Sequence, residues 1–511
     1  MDDYDVIVVG SGIGGVGVAA LLAHAGYKTL VLEKNDRIGG ACSSYIKETE
    51  KGKYVVDVAV HFFSQGLKGR FGKILKKIGI AYKNEKGQLV SDYIKFVPNL
   101  ANKVRLKVKG REGFTSVMGL RPSSRDKKVE KKEPLDEKSA YKKEEQKEIM
   151  SVIGSILQTS KKKIRELDER QVDLKTWVNE ITTNKKAHDL VAVMCGTFFT
   201  IPPRMASAAE YIICLQEAVF KNDATYPIGG CLAIPNAFAE GVKKYGGEVR
   251  TNSPVSKILI EDDKVVGVVC NEEEIRSKIV ISNTGIKRTV STLVGEEYFD
   301  KDYVKTVKDL IQSNSAITFK FGLKKPINEL KDIPVIQMTQ PRITPLKGFE
   351  EEAKQGKKVP KAAGYLVPIL SNMDPNLAPK GCQLVIFGTS APSSVEGGDW
   401  KRWTDAYYND ILDYYPELAE ENRVDFMDVF TPFDYIRYTG KAGGPVEGTA
   451  LTPAQSGKRR ISSVLPIEGL FVVGDTAGTD THGVGTQLAA DSALKLADII
   501  LKEYKLTEIK K

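Results

Sequence analysis

The sequence predicts an α/β protein built on a Rossmann-type nucleotide-binding sheet, with an α+β second domain interleaved into it. Three stretches carry that reading. The first is Asp5-Val6-Ile7-Val8-Val9-Gly10-Ser11-Gly12-Ile13-Gly14-Gly15, with Glu33 eighteen residues after the last glycine. The second is Arg37-Ile38-Gly39-Gly40, just behind Glu33. The third lies more than four hundred residues later: Gly469-Leu470-Phe471-Val472-Val473-Gly474-Asp475-Thr476-Ala477-Gly478.

Each element follows from its residues. Val6 to Val9 is an apolar run suited to a buried parallel strand. Gly10 permits the tight turn, Gly12 lets backbone amides approach a pyrophosphate, and Gly15 lets the next helix sit close to the strand. The helix from about Ile13 to Ala25 points its positive end at the phosphates. Gly26 stops it, Lys28 to Leu32 forms a second strand, and Glu33 at its tip accepts from a ribose 2′-OH. Farther on, Lys103 to Lys109 alternates as a half-buried strand does. Residues 149 to 220 read as helical, with Ile149, Val152, Ile153 and Ile156 on one face. The nucleotide core resumes at Tyr226-Pro227-Ile228-Gly229-Gly230, followed by a helix from Ile234 to Tyr245. Strands at Ile258–Ile260 and Val265–Val269 flank a turn at Asp262-Asp263-Lys264, and Ile279 to Thr284 closes this section. In the late stretch, Phe471 to Val473 is an apolar strand, and Gly474 allows close approach of the chain just before Asp475.

Composition bounds the rest. The 511 residues suffice for two or three cores. The run from Val6 to Ala23 approaches membrane-spanning length, but its five glycines and strand–turn–helix pattern assign it to the nucleotide fold. The start Met1-Asp2-Asp3 has no secretory n-region. Six cysteines without a C-x-x-C pair, and four histidines without ligand spacing, predict reduced cytoplasmic thiols and no metal site. The net charge is +9, with 15 Lys and Arg against 9 Asp and Glu between Lys103 and Glu148. That excess reads as a solvated face or as a surface for anionic lipid, a peripheral membrane contact. Nothing resembles a nucleic-acid module.

The four blocks 4–45, 225–285, 431–448 and 469–498 together resemble the two-dinucleotide-binding-domain flavoproteins. This is the glutathione-reductase-like fold in its amine oxidase and phytoene desaturase form. The Tyr-Pro-x-Gly-Gly stretch and Thr431-Pro432-x-Asp434-x-x-Arg437-Tyr438-Thr439-Gly440 narrow the resemblance to the phytoene desaturase, carotenoid isomerase and retinol saturase family. The resemblance implies FAD as cofactor. It implies an FAD-binding domain made of residues 1–95, 225–290 and 436–511, and a substrate domain made of 96–224 and 291–435. It places Gly10, Ser11, Gly12, Ile13, Gly14, Gly15, Glu33, Lys34, Arg37, Gly39, Gly40, Val255, Gly474, Asp475, Gly483, Val484, Gly485 and Thr486 at the cofactor. Val255 matches a backbone contact to adenine, and Asp475 matches the residue that binds the ribityl chain. Two departures bear on the substrate. Ala59 stands where relatives usually carry Gly, and Thr479 to Thr486 lacks the carotene enzymes' Pro-Gly run. A substrate other than a carotene is therefore open.

A flavin enzyme asks little of its side chains once the ring is well placed. Reduction puts negative charge at N1 and O2 of the ring, and Gly483-Val484-Gly485-Thr486 opens a helix that can face it. His482, between Asp475 and that helix, is a candidate acid or base, followed by His61 and Asp57. Phe198, Phe199, Tyr211 and Phe220 serve equally as tunnel lining or core. The leading expectation is desaturation, saturation or isomerisation at C–C bonds of a hydrophobic, isoprenoid-like substrate. Amine oxidation is disfavoured because 474–486 contains no Phe, Tyr or Trp for an aromatic cage. A non-catalytic lipid-binding role, as in the Rab GDP-dissociation inhibitors, is disfavoured by Glu33, Asp475 and the glycine loop. The sequence names neither the electron donor or acceptor nor the oligomeric state.

Overall fold

The computed structural model describes residues 4–59, 62–110, 113–116, 142–217, 224–339, 359, 361–362, 364–393 and 399–505. Val60, His61, Phe220 and the lysine pairs at 127–128 and 131–132 lie outside these.

A five-stranded parallel sheet forms the first layer, in the order Glu248–Arg250, Thr29–Leu32, Val6–Val9, Val280–Ser282, Leu470–Val472. Val8 sits opposite Val31 on one side and Ile281 on the other, and Ile281 pairs in turn with Phe471. Four distant stretches of chain thus meet in one sheet. The interior strands are buried on both faces and mostly apolar: helices cover one face, and the antiparallel ribbon with residues 286–307 covers the other. Helix Ile13–His24 carries only apolar and small residues on its buried surface and packs against Ala233–Lys244 and Thr486–Glu503. A three-stranded antiparallel ribbon, Val255–Glu261, Lys264–Cys270 and Glu273–Arg276, crosses back toward the parallel sheet. Asp262 and Asp263 form its first turn with positive φ, a conformation Asp tolerates.

The second layer is a seven-stranded mixed sheet. Its order is Thr115–Ser116, Val104–Val108, Val335–Thr339, Gly364–Pro368, Gln383–Ala391, Ser315–Leu323, Val424–Phe430. The two-residue period of its strands sorts the side chains. Ile317, Phe319, Phe321, Ile336, Met338, Tyr365 and Phe387 face a core closed by Trp403 and Tyr407 of helix Trp400–Leu412. Ala316, Thr318, Gln337, Thr339 and Leu366 face a cavity instead.

The strand read at 103–109 forms as Val104–Val108, but not with one side in water. It lies next to the sheet's edge, parallel to Val335–Thr339. Leu106 faces the cavity, and Lys107 is buried on the opposite face in an ion pair with Glu329. A lysine held by a carboxylate can occupy a position that alternation alone assigns to solvent.

Five helices between Lys143 and Leu215 roof the cavity, and their starts are written in the sequence. Ser160, Asp173, Asn184 and Ser207 each cap a helix by accepting from a backbone N–H two or three residues on. Ile149, Val152, Ile153 and Ile156 are buried together, as their spacing predicts. No described helix is long and apolar enough to cross a membrane.

Candidate active site

One cavity of about 790 Å³ joins the two layers. That volume is in the range of ligand and cofactor sites. At one end its wall is the glycine loop. A Cβ on Gly14 would lie 2.9 Å from Gly474 Cα, so the two nucleotide loops touch through glycine alone. A Cβ on Gly12 would lie 2.5 Å from the Asn283 side-chain amide. That amide, oriented with its oxygen toward Gly12 N–H (3.1 Å) and its nitrogen toward the Val473 carbonyl (3.1 Å), ties three parallel strands together under the loop. Glu33 is buried; its Oε2 accepts from the Ser11 N–H at 3.0 Å and from Ser11 Oγ at 2.6 Å, and its Oε1 accepts from Asn35 N–H at 2.9 Å. The carboxylate is therefore fixed at the strand tip with acceptor capacity to spare.

Gly10, Ser11, Gly12, Ile13, Gly14, Glu33, Lys34, Gly39, Gly40, Val255, Gly474, Asp475, Gly483, Val484, Gly485 and Thr486 all line this cavity. Two residues assigned to the cofactor do not. Gly15 is a packing glycine: a Cβ there would meet the Gly10 carbonyl at 2.1 Å. Arg37 donates to the Tyr438 hydroxyl and lies over the Tyr45 and Tyr438 rings, at 5.7 and 5.5 Å. Its planar cation is used to stack loops together.

Of the three candidate acids and bases, His61 lies outside the described residues, and the other two lie off the cavity wall. Asp57 is fully buried away from the cavity. It accepts from Ser44 Oγ (2.7 Å), Tyr226 Oη (2.6 Å) and Cys231 N–H (2.9 Å). It thereby anchors the Tyr-Pro-x-Gly-Gly turn. His482 does not line the cavity either: its Nδ1 lies 2.8 Å from Glu210 Oε1, and its own N–H donates to Asp491 at 3.1 Å. Its hydrogen bond to the Glu210 carboxylate raises its pKa above the ordinary value against the opposing effect of burial. Phe198 lines the cavity, whereas Phe199 and Tyr211 are core.

Several site residues carried no readable signal. Lys441 lines the cavity and pairs with Asp475. Glu447, fully buried, lines it beside Gly485. Burial first, then the charge of Asp475, push its carboxyl up to about 8. Lys320 lies 3.4 Å from the Phe430 ring centroid and donates to the Val58 carbonyl at 2.8 Å, next to cavity-lining Ala59. Burial pushes its ammonium down to about 7. Only the resemblance carried by the block 431–448 drew attention to the stretch that holds Lys441 and Glu447.

The remaining wall is the substrate end. The sheet supplies Ala316, Thr318, Gln337, Leu366 and Gly388, and helix Lys185–Phe198 supplies Ala192, Val193 and Thr197 opposite. Thr197 Oγ1 donates to Gln337 Oε1 at 3.2 Å, closing roof onto floor.

A glycine cradle in which Gly12, Gly14 and Gly39 leave no room for a Cβ, an acid at the strand tip, an acid after the late strand and a helix opening at Gly485 fit the two ends of FAD. Fold and site define an FAD-dependent oxidoreductase of the two-dinucleotide-binding-domain class. Residues 13–501 match the family model described as flavin containing amine oxidoreductase, and the chain belongs to that family. It is 26% identical to an all-trans-retinol 13,14-reductase of Danio rerio, over 98% of this chain and 86% of that protein. To an inactive all-trans-retinol 13,14-reductase of the same fish it is 28% identical over 60% of this chain; there it spans about half (52%) of the relative's length. It is 24% identical to the chloroplastic prolycopene isomerase of Daucus carota, over 93% of this chain and 76% of that protein. Among solved structures, an oxidoreductase from Methanosarcina mazei superposes with a TM-score of 0.66 at 18% identity, covering 96% of this chain and 99% of that one.

Proposed function

We propose that the protein desaturates, saturates or isomerises carbon–carbon bonds of a long apolar, polyene-like substrate. The continuous cavity running from the glycine loop to the apolar space between sheet and helix roof carries this reading. The relatives named for retinol reduction and prolycopene isomerisation support the same substrate class. When bound, FAD supplies two-electron hydride exchange.

The chain's own contribution is placement. The glycine loop and Glu33 hold the adenosine and pyrophosphate end. Asp475, steadied by Lys441, faces the ribityl chain. The opening of helix Thr486–Glu503 presents backbone N–H donors to the ring's pyrimidine end. The roof and sheet exclude water from a substrate with no charged handle of its own. An ammonium substrate would need a free carboxylate. At the substrate end the wall carboxylates Asp189 and Glu217 are neutralised by Lys185 at 3.1 Å and Arg70 at 2.9 Å, and Glu447 lies at the cofactor end beside Asp475 and Gly485. Tyr435 in the wall is likewise engaged, by Thr318 at 2.8 Å.

A polyene is carried in lipid, so the same reading includes peripheral membrane contact through the basic segment between Lys103 and Glu148. The test is a screen of the FAD-loaded protein with retinoids, carotenoids and polyamines. Polyene turnover supports the proposal; amine turnover alone overturns it.

A further inference from the structure

Glu447 is a buried acid that placement alone leaves unused. Its backbone N–H donates to Ser313 Oγ at 2.9 Å, and its side chain reaches the cavity wall between Asp475 and Gly485. A Cβ on Gly485 would lie 3.1 Å from its Oε2. That oxygen has no hydrogen-bond partner among the described residues. Arg460, also buried, donates through Nη2 to the Asp475 carbonyl, while its Nε and Nη1 have no partner among the described residues. Burial pushes the Arg460 guanidinium down to about 10, and it feels the charges of Asp475, Glu210 and Glu447. Glu210 Oε2 is another buried oxygen without a partner among the described residues, and Glu210 Oε1 is the one bonded to His482. The His482 side chain is 31% exposed, and its Nε2 lies 3.3 Å from Asp480. Buried donors and acceptors with open capacity are the places where proteins hold ordered water. Arg460 lies within electrostatic reach of both Glu210, which is bonded to solvent-touching His482, and Glu447 on the cavity wall.

We propose that Glu447 is a redox-coupled proton acceptor at the cofactor, resupplied from solvent through His482, Glu210 and water held on Arg460. The proposal rests on the reading above that the flavin ring's pyrimidine end lies against Gly483–Thr486. A negative charge arriving there raises the cost of a second negative charge on Glu447. Where the pH lies above the folded Glu447 value of about 8, its carboxylate then takes one proton, the charge going from −1 to 0. His482 passes one proton inward and regains one from bulk water. The charged and titratable groups facing Glu447 are the Asp475–Lys441 pair, Arg460 and Cys214; those facing His482 are Glu210, Asp480, Asp491 and Lys495.

The experiment is a spectroelectrochemical titration of the FAD-loaded protein between pH 7 and 10. A two-electron couple shifts by about 30 mV per pH unit for each proton taken up. The wild type is expected to change from about 30 mV per unit near pH 7 to about 60 mV above the Glu447 pKa, one extra proton at about 30 mV each. Glu447→Gln should keep its FAD and hold the single-proton slope throughout. His482→Gln should keep the wild-type slopes but slow proton uptake at least tenfold, followed with a pH-indicator dye in stopped flow. A wild-type slope that never steepens overturns the proposal without recourse to any variant, as does steepening that persists in Glu447→Gln. Uptake at the wild-type rate in His482→Gln overturns the route. A protein that binds no FAD defeats the functional reading and this one with it. An FAD-loaded protein with one constant slope defeats this one alone.

Discussion

At its nucleotide end the cavity wall is largely backbone: Gly10, Gly12, Gly14, Gly39, Gly40 and Gly474 bring main chain against the ligand, and Glu33 is fixed by two donors from Ser11 and one from Asn35. At its substrate end the wall is side chain, drawn from the seven-stranded sheet and one roof helix. At the first end Gly12, Gly14, Gly39 and Gly474 leave no room for a Cβ, and at Gly14 the obstacle is the Gly474 backbone itself. The second is an open apolar volume whose shape is set by residue size. The comparison teaches that cofactor identity and substrate identity are encoded in different currencies, backbone conformation and side-chain volume, and are separable by mutation.

The largest expected effect is at Gly14. A Cβ there would sit 2.9 Å from the Gly474 backbone, which has no side chain to swing away. Gly14→Val should yield protein without FAD, destabilised by about 1–3 kcal/mol, the usual scale of overpacking. Flavin released on denaturation and thermal melting measure both. A variant that retained stoichiometric FAD would break the claim that the two loops meet on the cofactor.

Glu33→Ala comes next. The loss of a hydrogen bond to a charged group should weaken FAD by about 1.5–3 kcal/mol, roughly 10- to 150-fold in Kd. Turnover at saturating FAD should stay near wild type. Unchanged affinity would remove Glu33 from the ribose.

The other end is probed at Gly388. A Cβ there would find only ordinary contacts, Thr318 Cγ2 at 3.4 Å and the Leu366 carbonyl at 3.7 Å. Gly388→Leu should therefore fold and keep its FAD while filling the substrate volume. Turnover of long polyenes should fall by about tenfold or more, some 1.4 kcal/mol. Equal loss of FAD and turnover would show that the ends are not separable.

This division also explains what the sequence disclosed. Gly10-x-Gly12-x-x-Gly15 and Glu33 lie within one strand–helix–strand unit, so local spacing reports them, and Asp475 is marked by an apolar strand and a glycine. Ala316, Gln337, Leu366 and Gly388 come from four strands brought together by pairings far apart in sequence, and no local pattern announces them. His482 illustrates the opposite case. Its position between two anchors suggested the ring, but the turn at Gly483 aims the cavity-facing groups one residue later and leaves the imidazole on Glu210. Asp57 looked chemical and is an anchor, because three donors converge on it. Lys107 shows how a single ion pair overrides alternation.

Smaller effects follow from titration. The folded-state pKa of His482 is raised by Glu210. Stability from this pair is thus fully present below the unfolded value, about 6.5, and is lost as pH rises through the higher folded value. Melting temperature should fall across that window in the wild type and be flat there in His482→Gln. The smallest expected effect is at the membrane. Sedimentation with anionic vesicles should rise at low salt and vanish at high salt if the basic segment meets lipid. Equal recovery with neutral vesicles at low salt would count against it.

The most direct test of the account joins both ends in one cuvette. The FAD-loaded protein is reduced without oxygen, mixed with retinoid and carotenoid polyenes, and followed by flavin absorbance and product chromatography; oxidised protein is mixed with the saturated and cis counterparts. The account predicts that at least one polyene reoxidises, bleaches or is isomerised by the bound flavin, and that Gly388→Leu suppresses it without loss of FAD. A flavin inert to every polyene yet bleached by an amine would contradict it.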